Sequence, residues 1–305
     1  MTHAESNIVL FSITLCWASS YIFIKNLPDT LSTFAYLTIT AGIASVILVI
    51  IFFRKLREFG RNTLIKSAVM ATLVCGMLLI ERAGISKIPA SMASFITSLT
   101  VVFVPIILLF LKKKPTKNNY LGIMLILTGL TLTSRVNIGE GMNPGILYMV
   151  IGCILMAVYI VITDIFTKQA DPLLLGVGQM FFTAIFSFIL WFIEEPSTFF
   201  SVQYSNEMLA NIFLLAFFSK AYAYIMLMYS QKYANPISVT VIASTEPVVT
   251  MVLAVLIPNT FGQTEALTFI KIVGAAVIVM GAICAGTNFL DKKEAASYAR
   301  DTISA

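Results

Sequence analysis

Two ionisable residues stand inside stretches that are otherwise apolar. Lys220 lies in Leu215-Ala216-Phe217-Phe218-Ser219-Lys220-Ala221, and Glu246 lies in Thr245-Glu246-Pro247. A lysine at the centre of a bilayer costs about 2.5–3.5 kcal/mol on insertion scales, so it faces a wet cavity or a partner. Ser230 lies ten residues further on, which is about 15 Å along a helix and too far for easy escape to a surface. Two chemistries are open. The ammonium anchors a carboxylate or phosphate, or it is half of a permanent ion pair. Glu246, on the next apolar stretch, is its natural partner and has two readings as well. It is a structural counter-charge, or a site for a proton or an amino group. Together the two would hold a zwitterion, carboxylate on Lys220 and ammonium on Glu246. The charges would then be satisfied with the site empty or full.

Aromatic and hydroxyl residues surround this pair in the sequence pattern. Trp17 and Tyr21 are one helical turn apart, Tyr224 is one turn from Lys220, and Tyr159 occupies a comparable place. They read as a wall that stacks on a ring or holds a cation, or as packing and interface anchors. Ser91, Ser94 and Ser98 fall on one helical face, for tight helix contact or for lining a cavity. The expected substrate contacts are therefore Lys220, Glu246, Tyr224, Trp17, Tyr21, Tyr159, Ser94 and Ser98. Gln179 is expected to donate a hydrogen bond between helices. Glu81 and Arg82 read as an interfacial pair, with an outer gate as the alternative.

Other chemistries find no residues. His3 is the one histidine, and Cys16, Cys75, Cys153 and Cys284 stand singly in apolar runs. No metal site, disulfide, cofactor or catalytic cluster is expected. The chain contains no phosphate-binding GxxxxGK[ST] loop, no HExxH and no serine elbow, so it reads as a non-enzyme that ATP does not drive directly.

The elements that must position these residues are membrane helices. Of 305 residues, 58% are hydrophobic and 11% charged, whereas soluble domains run near a quarter charged. The mean hydropathy of +0.91 agrees. Ten apolar runs can be marked: 7–25, 32–53, 65–84, 88–111, 119–135, 144–166, 172–193, 208–230, 236–257 and 267–289. The N-terminus lacks a signal peptide's basic region and cleavage site, so the first run reads as a retained helix. The net charge of +5 does not imply nucleic acid, because the basic residues sit in loops. With the N-terminus inside, fourteen Lys and Arg fall on the inner side, five on the outer, and Lys220 on neither. That bias puts both termini in the cytoplasm.

The runs repeat. Gly122 and Gly129 in the fifth match Gly274 and Gly281 in the tenth. Each pair is two turns apart, on one face that allows close packing within or between protomers. Trp17-Ala18-Ser19-Ser20 aligns with Met156-Ala157-Val158-Tyr159, and Phe95-Ile96-Thr97-Ser98 with Val241-Ile242-Ala243-Ser244. Five helices per half is an odd number, so the second half inserts upside down. The expected fold is all-α integral membrane, ten transmembrane helices as two inverted five-helix repeats. The repeats span 1–140 and 141–290, with a cytoplasmic tail at 291–305. Inverted repeats are a recurrent transporter plan with the solute site near the midplane.

On these features the chain resembles the drug/metabolite transporter superfamily, and within it the EamA-type ten-helix transporters. The pieces that carry the resemblance are Trp17-Ala18-Ser19-Ser20, Ala93-Ser94-Phe95-Ile96 through Val104-Pro105, Gln179, Ala221-Tyr222-Ala223-Tyr224, Glu246-Pro247 and the two glycine-paired helices. It spans about Val9 to Gly286. It implies alternating access around a central cavity lined by helices 1, 3, 4, 6, 8 and 9, with amino acids, other metabolites or drugs as cargo. Two positions depart from the pattern: Lys220, where a small residue is usual, and Glu81-Arg82, where uncharged residues are usual. The expected function is secondary-active export of zwitterionic or anionic metabolites such as amino acids, across a bacterial inner membrane. The alternatives are proton-coupled efflux of cationic drugs and, from another class, a non-transporting membrane enzyme or sensor. The expected partners are a small-molecule substrate and the lipid bilayer, with protons a further candidate and the oligomeric state open.

Overall fold

A computed structural model describes residues 3–28, 30–113, 115–133, 143–200, 204–258, 264 and 266–286. The expected repeat boundary near 140 and the tail at 291–305 lie outside the described residues. Among those described, no strand occurs. The described residues form ten helical rods. They are α1 (His3–Lys25), α2 (Thr33–Ile51), α3 (Arg61–Ile85), α4 (Ala90–Phe110), α5 (Lys117–Thr133), α6 (Pro144–Thr167), α7 (Pro172–Glu194), α8 (Asn206–Gln231), α9 (Pro236–Leu256) and α10 (Phe269–Gly286). Eight are long and apolar enough to cross a membrane; α5 and α10 are given as far as the described residues extend.

Polar residues set where the rods begin. Ser32 accepts from the Ala35 N–H at 3.1 Å, Asp171 from Leu173 and Leu174 at 2.9 and 3.2 Å, and Asn235 from Ser238 at 2.8 Å. Pro144, Pro172 and Pro236 take the first helical turn, where a missing N–H costs nothing. Asp171 also pairs with Lys55 at 2.7 Å. Partial burial pushes its carboxyl up, but the Lys55 ammonium and the two N–H groups outweigh that and hold it below the usual carboxylate range. Its contribution is thus present above about pH 4 and fades as the pH falls through its own titration. Asp171→Asn keeps the cap and loses an exposed pair worth about 0–1 kcal/mol. Asp171→Ala also loses the cap, about 1 kcal/mol. The expected order of melting temperatures in detergent at neutral pH is wild type, then Asn, then Ala. Equal values for Asn and Ala would contradict the capping role.

Three rods are irregular in the middle. Rod α4 breaks at Ser98-Leu99 into Ala90–Thr97 and Thr100–Phe110, and α9 breaks at Ser244-Thr245 into Pro236–Ala243 and Glu246–Leu256. Hydroxyls there bond back to carbonyls: Thr100 to Thr97 at 2.7 Å, Ser244 to Val241 at 2.6 Å, Thr245 to Ile242 at 2.7 Å. Such bonds compete with the helical ladder. Pro247 adds to this in α9, since it has no N–H for the carbonyl of Ala243. In α8, Leu215–Tyr222 is wound as π-helix, and the Ala223 N–H reaches the Phe218 carbonyl.

The packing has a two-fold rule. Exchange each rod n with n + 5, and the contacts between the halves map onto one another. Rod α3 packs on α6 as α8 packs on α1, α3 on α7 as α8 on α2, and α4 on α6 as α9 on α1. The pairs α2–α7, α4–α9 and α5–α10 map onto themselves. Five rods per half is odd, so α6 runs opposite to α1. The glycine faces of α5 and α10 meet within the one chain. A Cβ on Gly122 would lie 2.5 Å from the Gly281 carbonyl oxygen, and one on Gly129 would lie 2.6 Å from that of Gly274.

Candidate functional site

The irregular rods converge on a central cavity of about 60 Å³. A water needs roughly 10–15 Å³ so measured, so the space holds a few waters. Its walls come from α1, α3, α4, α6, α8 and α9, the six helices that the resemblance implies. Both helix breaks face it, through Ser98 and Thr100 on one side and Ser244 and Glu246 on the other. A broken helix leaves carbonyl and N–H ends free at membrane depth, which is tolerated where they line a cavity.

Three charged side chains line the cavity: Glu81, Lys220 and Glu246. Lys220, 2% exposed, comes from the π-wound turn of α8. Its Nζ lies 5.8 Å from the centre of the Tyr224 ring and 5.9 Å from that of Tyr36. Among the described residues no carboxylate lies within 4.0 Å of it, and its electrostatic partner is Glu81. The reading of Lys220 and Glu246 as an ion pair is thus corrected: α8 and α9 follow one another in the chain but hardly touch, and α1 packs on both. Glu246 is 4% exposed and begins the second segment of α9, where the helix dipole favours a carboxylate. Its Oε1 is buried and accepts no hydrogen bond among the described residues. The Tyr21 hydroxyl donates to Thr97 Oγ1 at 2.8 Å and adjoins the carboxyls of Glu81 and Glu246.

The aromatic wall is continuous. Tyr224 meets Trp17 edge-on at 5.7 Å and Tyr159 edge-on at 6.0 Å. Of the eight expected contacts, Lys220, Glu246, Tyr224, Trp17, Tyr21 and Ser98 line the cavity. Two do not. Tyr159 is fully buried behind Tyr224 and donates to Gln179 Oε1 at 3.0 Å. Ser94 is buried and donates to the Ser91 carbonyl at 2.9 Å. Gln179 was expected to donate between helices; it accepts instead, and its Nε2 has no partner among the described residues.

Glu81 is also corrected, because it lines the cavity and is no interfacial residue. Its neighbour Arg82 is 4% exposed, donates to the Ile24 carbonyl at 3.2 Å and packs 5.7 Å from the Tyr36 ring. Toward the end that carries most basic residues, polar ties join the two halves. Lys66 donates to Gln169 at 2.8 Å, Lys55 pairs with Asp171, and Lys113 approaches buried Asp164 at 3.9 Å.

The model of the EamA-like transporter family matches residues 6–135 and again 143–287. The chain belongs to the EamA-like transporter family. The two matches are its two repeats, and they coincide with the halves that the contact exchange defines. This EamA-like protein is 25% identical over 272 residues to an uncharacterized transporter of Archaeoglobus fulgidus, covering 89% of this chain and 82% of that one. A crystal structure, whose description names no activity, superposes with a TM-score of 0.73 at 16% identity. It covers 93% of this chain and 98% of its own, and that likeness shows the fold alone. The EamA-like transporter is thus a multi-pass membrane protein whose two repeats enclose a cavity that carries charged side chains from both halves.

The polar cavity residues absent from the expected contacts are Glu81, Ser20, Thr97, Thr100, Ser219, Thr240 and Ser244. Ser244 had a signal, since it aligns with Ser98 at the same repeat offset. Glu81 had one too, as a carboxylate in an apolar run, but its nearness to Arg82 in sequence pointed the other way.

Proposed function

We propose that this protein is a secondary-active exporter of small zwitterionic or anionic metabolites such as amino acids. It works by alternating access in a bacterial inner membrane, with both termini cytoplasmic. One observation carries the reading: Lys220 is a buried ammonium that faces the cavity, with no carboxylate among the described residues within 4.0 Å of it. A structural lysine at this depth would be expected to hold a carboxylate, because the interaction repays desolvation only at close range. Here two aromatic rings flank the ammonium and leave it free to receive an anionic group. Across the cavity the carboxyls of Glu81 and Glu246, with the Tyr21 hydroxyl, form a receptor for an ammonium. The substrate's carboxylate goes to Lys220 and its amino group to the two acids. Alternating access follows from the exchange of equivalent halves around that site.

The test is flux in proteoliposomes loaded with a labelled amino-acid mixture. Each competitor is offered as the free amino acid, its amide and its deaminated carboxylic acid. The free amino acid is expected to compete at least tenfold better than either single-charge analogue. Equal competition by the amide would overturn the reading. A second reading, proton-coupled efflux of cationic drugs, has its own observation: two carboxyls face one ammonium. It predicts that the amide competes best and that flux follows an imposed proton gradient.

A further inference from the structure

We propose that Tyr36 is the positioning residue that aims the Lys220 ammonium at the substrate's anionic group. The proposal rests on the zwitterion reading above. Tyr36 belongs to α2, a rod that contributes nothing to the cavity wall. It is 1% exposed, and its hydroxyl, buried, has no hydrogen-bond partner among the described residues. What the position uses is therefore its ring.

Two cations share that ring. The Lys220 ammonium stands 5.9 Å from its centre and the Arg82 guanidinium 5.7 Å. The ring attracts both, while the like charges repel each other in a medium of low dielectric. Arg82 is further held by the Ile24 carbonyl, so Lys220 can lean on Tyr36 but cannot pass it. Tyr224, one turn along α8, supplies a second ring at 5.8 Å. The pull from the remaining side comes from Glu81. With Tyr36 in place the ammonium is shared between rings and stays open to the cavity. Without the ring, Tyr224 alone opposes that pull and the Arg82 charge adds to it. The ammonium then shifts toward Glu81, and the anion anchor closes into an ion pair.

The experiment compares Tyr36→Leu and Tyr36→Phe with wild type in reconstituted transport, for a zwitterionic amino acid and its carboxylate-free amide. A buried cation–π contact is worth about tenfold in affinity. Tyr36→Leu is therefore expected to raise KM for the zwitterion about tenfold with kcat little changed, and to leave KM for the amide unaltered. Tyr36→Phe, which keeps the ring, is expected to match wild type. Tyr36→Met serves as a second ring-less variant should the leucine protein not accumulate. An unchanged zwitterion KM in the ring-less protein overturns the proposal. So does an equal rise for zwitterion and amide, which marks a packing defect. Failure of the underlying reading is seen separately: wild type would then fail to prefer the zwitterion over the amide.

Discussion

Replacing Lys220 with methionine is expected to remove saturable zwitterion transport while leaving the protein as stable as wild type or more so. The two outcomes come from separate terms. Methionine is unbranched and of similar length, so it fills the space between Tyr36 and Tyr224 without a cavity. The substitution removes a charge whose insertion costs about 2.5–3.5 kcal/mol. It gives up two ring contacts worth about 0.5–2 kcal/mol each, so the balance lies near zero or in favour of the variant. Transport loses a charge-assisted contact to the substrate, about 1.5–3 kcal/mol, which is roughly 10- to 150-fold. A permanent ion pair predicts the reverse. Removing the lysine would then strand a buried carboxylate at a cost of about 3–5 kcal/mol, and the melting temperature would fall. Thermal unfolding in detergent and flux in liposomes, on the same preparation, decide between the two. A destabilised variant that still transports zwitterions would sink the substrate-anchor role.

The legible parts of this fold were those that repeat along the chain or fit its solvent. Apolar run lengths gave the ten rods, and the paired glycines gave the closest crossing. The Ser98 and Ser244 segments aligned before either was seen to break a helix. What the sequence hid was direction. Lys220 and Glu246 stand on consecutive rods, and succession in the chain was read as contact, whereas α1 packs on both α8 and α9. The π-wound turn at Leu215–Tyr222 changes the facing of every residue after it, and nothing in the sequence marks that extra residue per turn. Tyr36 was missed because it acts from a rod outside the cavity. Sequence spacing along α8 cannot reveal a ring that approaches Lys220 from α2.

The exchange of halves also explains where the site's chemistry resides. At the offset that aligns Ser98 with Ser244, Glu246 aligns with Thr100, and both line the cavity. The scaffold is two-fold, but the carboxylate appears once. The breaks and the rod packing, which must serve both halves in turn, obey the symmetry. The charged group departs from it. On the proposed function, specificity resides in the positions where the repeats differ.

Gly122→Ala is expected to destabilise the protein severely, although alanine is the better helix former. At Gly122 an added Cβ would stand 2.5 Å from the Gly281 carbonyl oxygen and 2.7 Å from the Ala285 nitrogen. These are backbone atoms, so no rotamer change relieves the clash. Asn118 and Asn119 fix the register of the crossing, donating to the Cys284 and Ala285 carbonyls at 3.1 and 3.0 Å. Sliding the rods apart would break those bonds in a setting without water to replace them. Overpacking of this kind costs about 1–3 kcal/mol or more, and among the described rods α5 packs chiefly on α10. Gly42 in α2 is the control, since a Cβ there meets nothing within 4 Å. Gly42→Ala is expected to be neutral or to gain up to about 1 kcal/mol in helix propensity. Melting temperatures of the two variants, measured side by side in detergent, should therefore move in opposite directions. If Gly122→Ala proved as stable as Gly42→Ala, the close crossing of α5 and α10 would not be what holds the two repeats together.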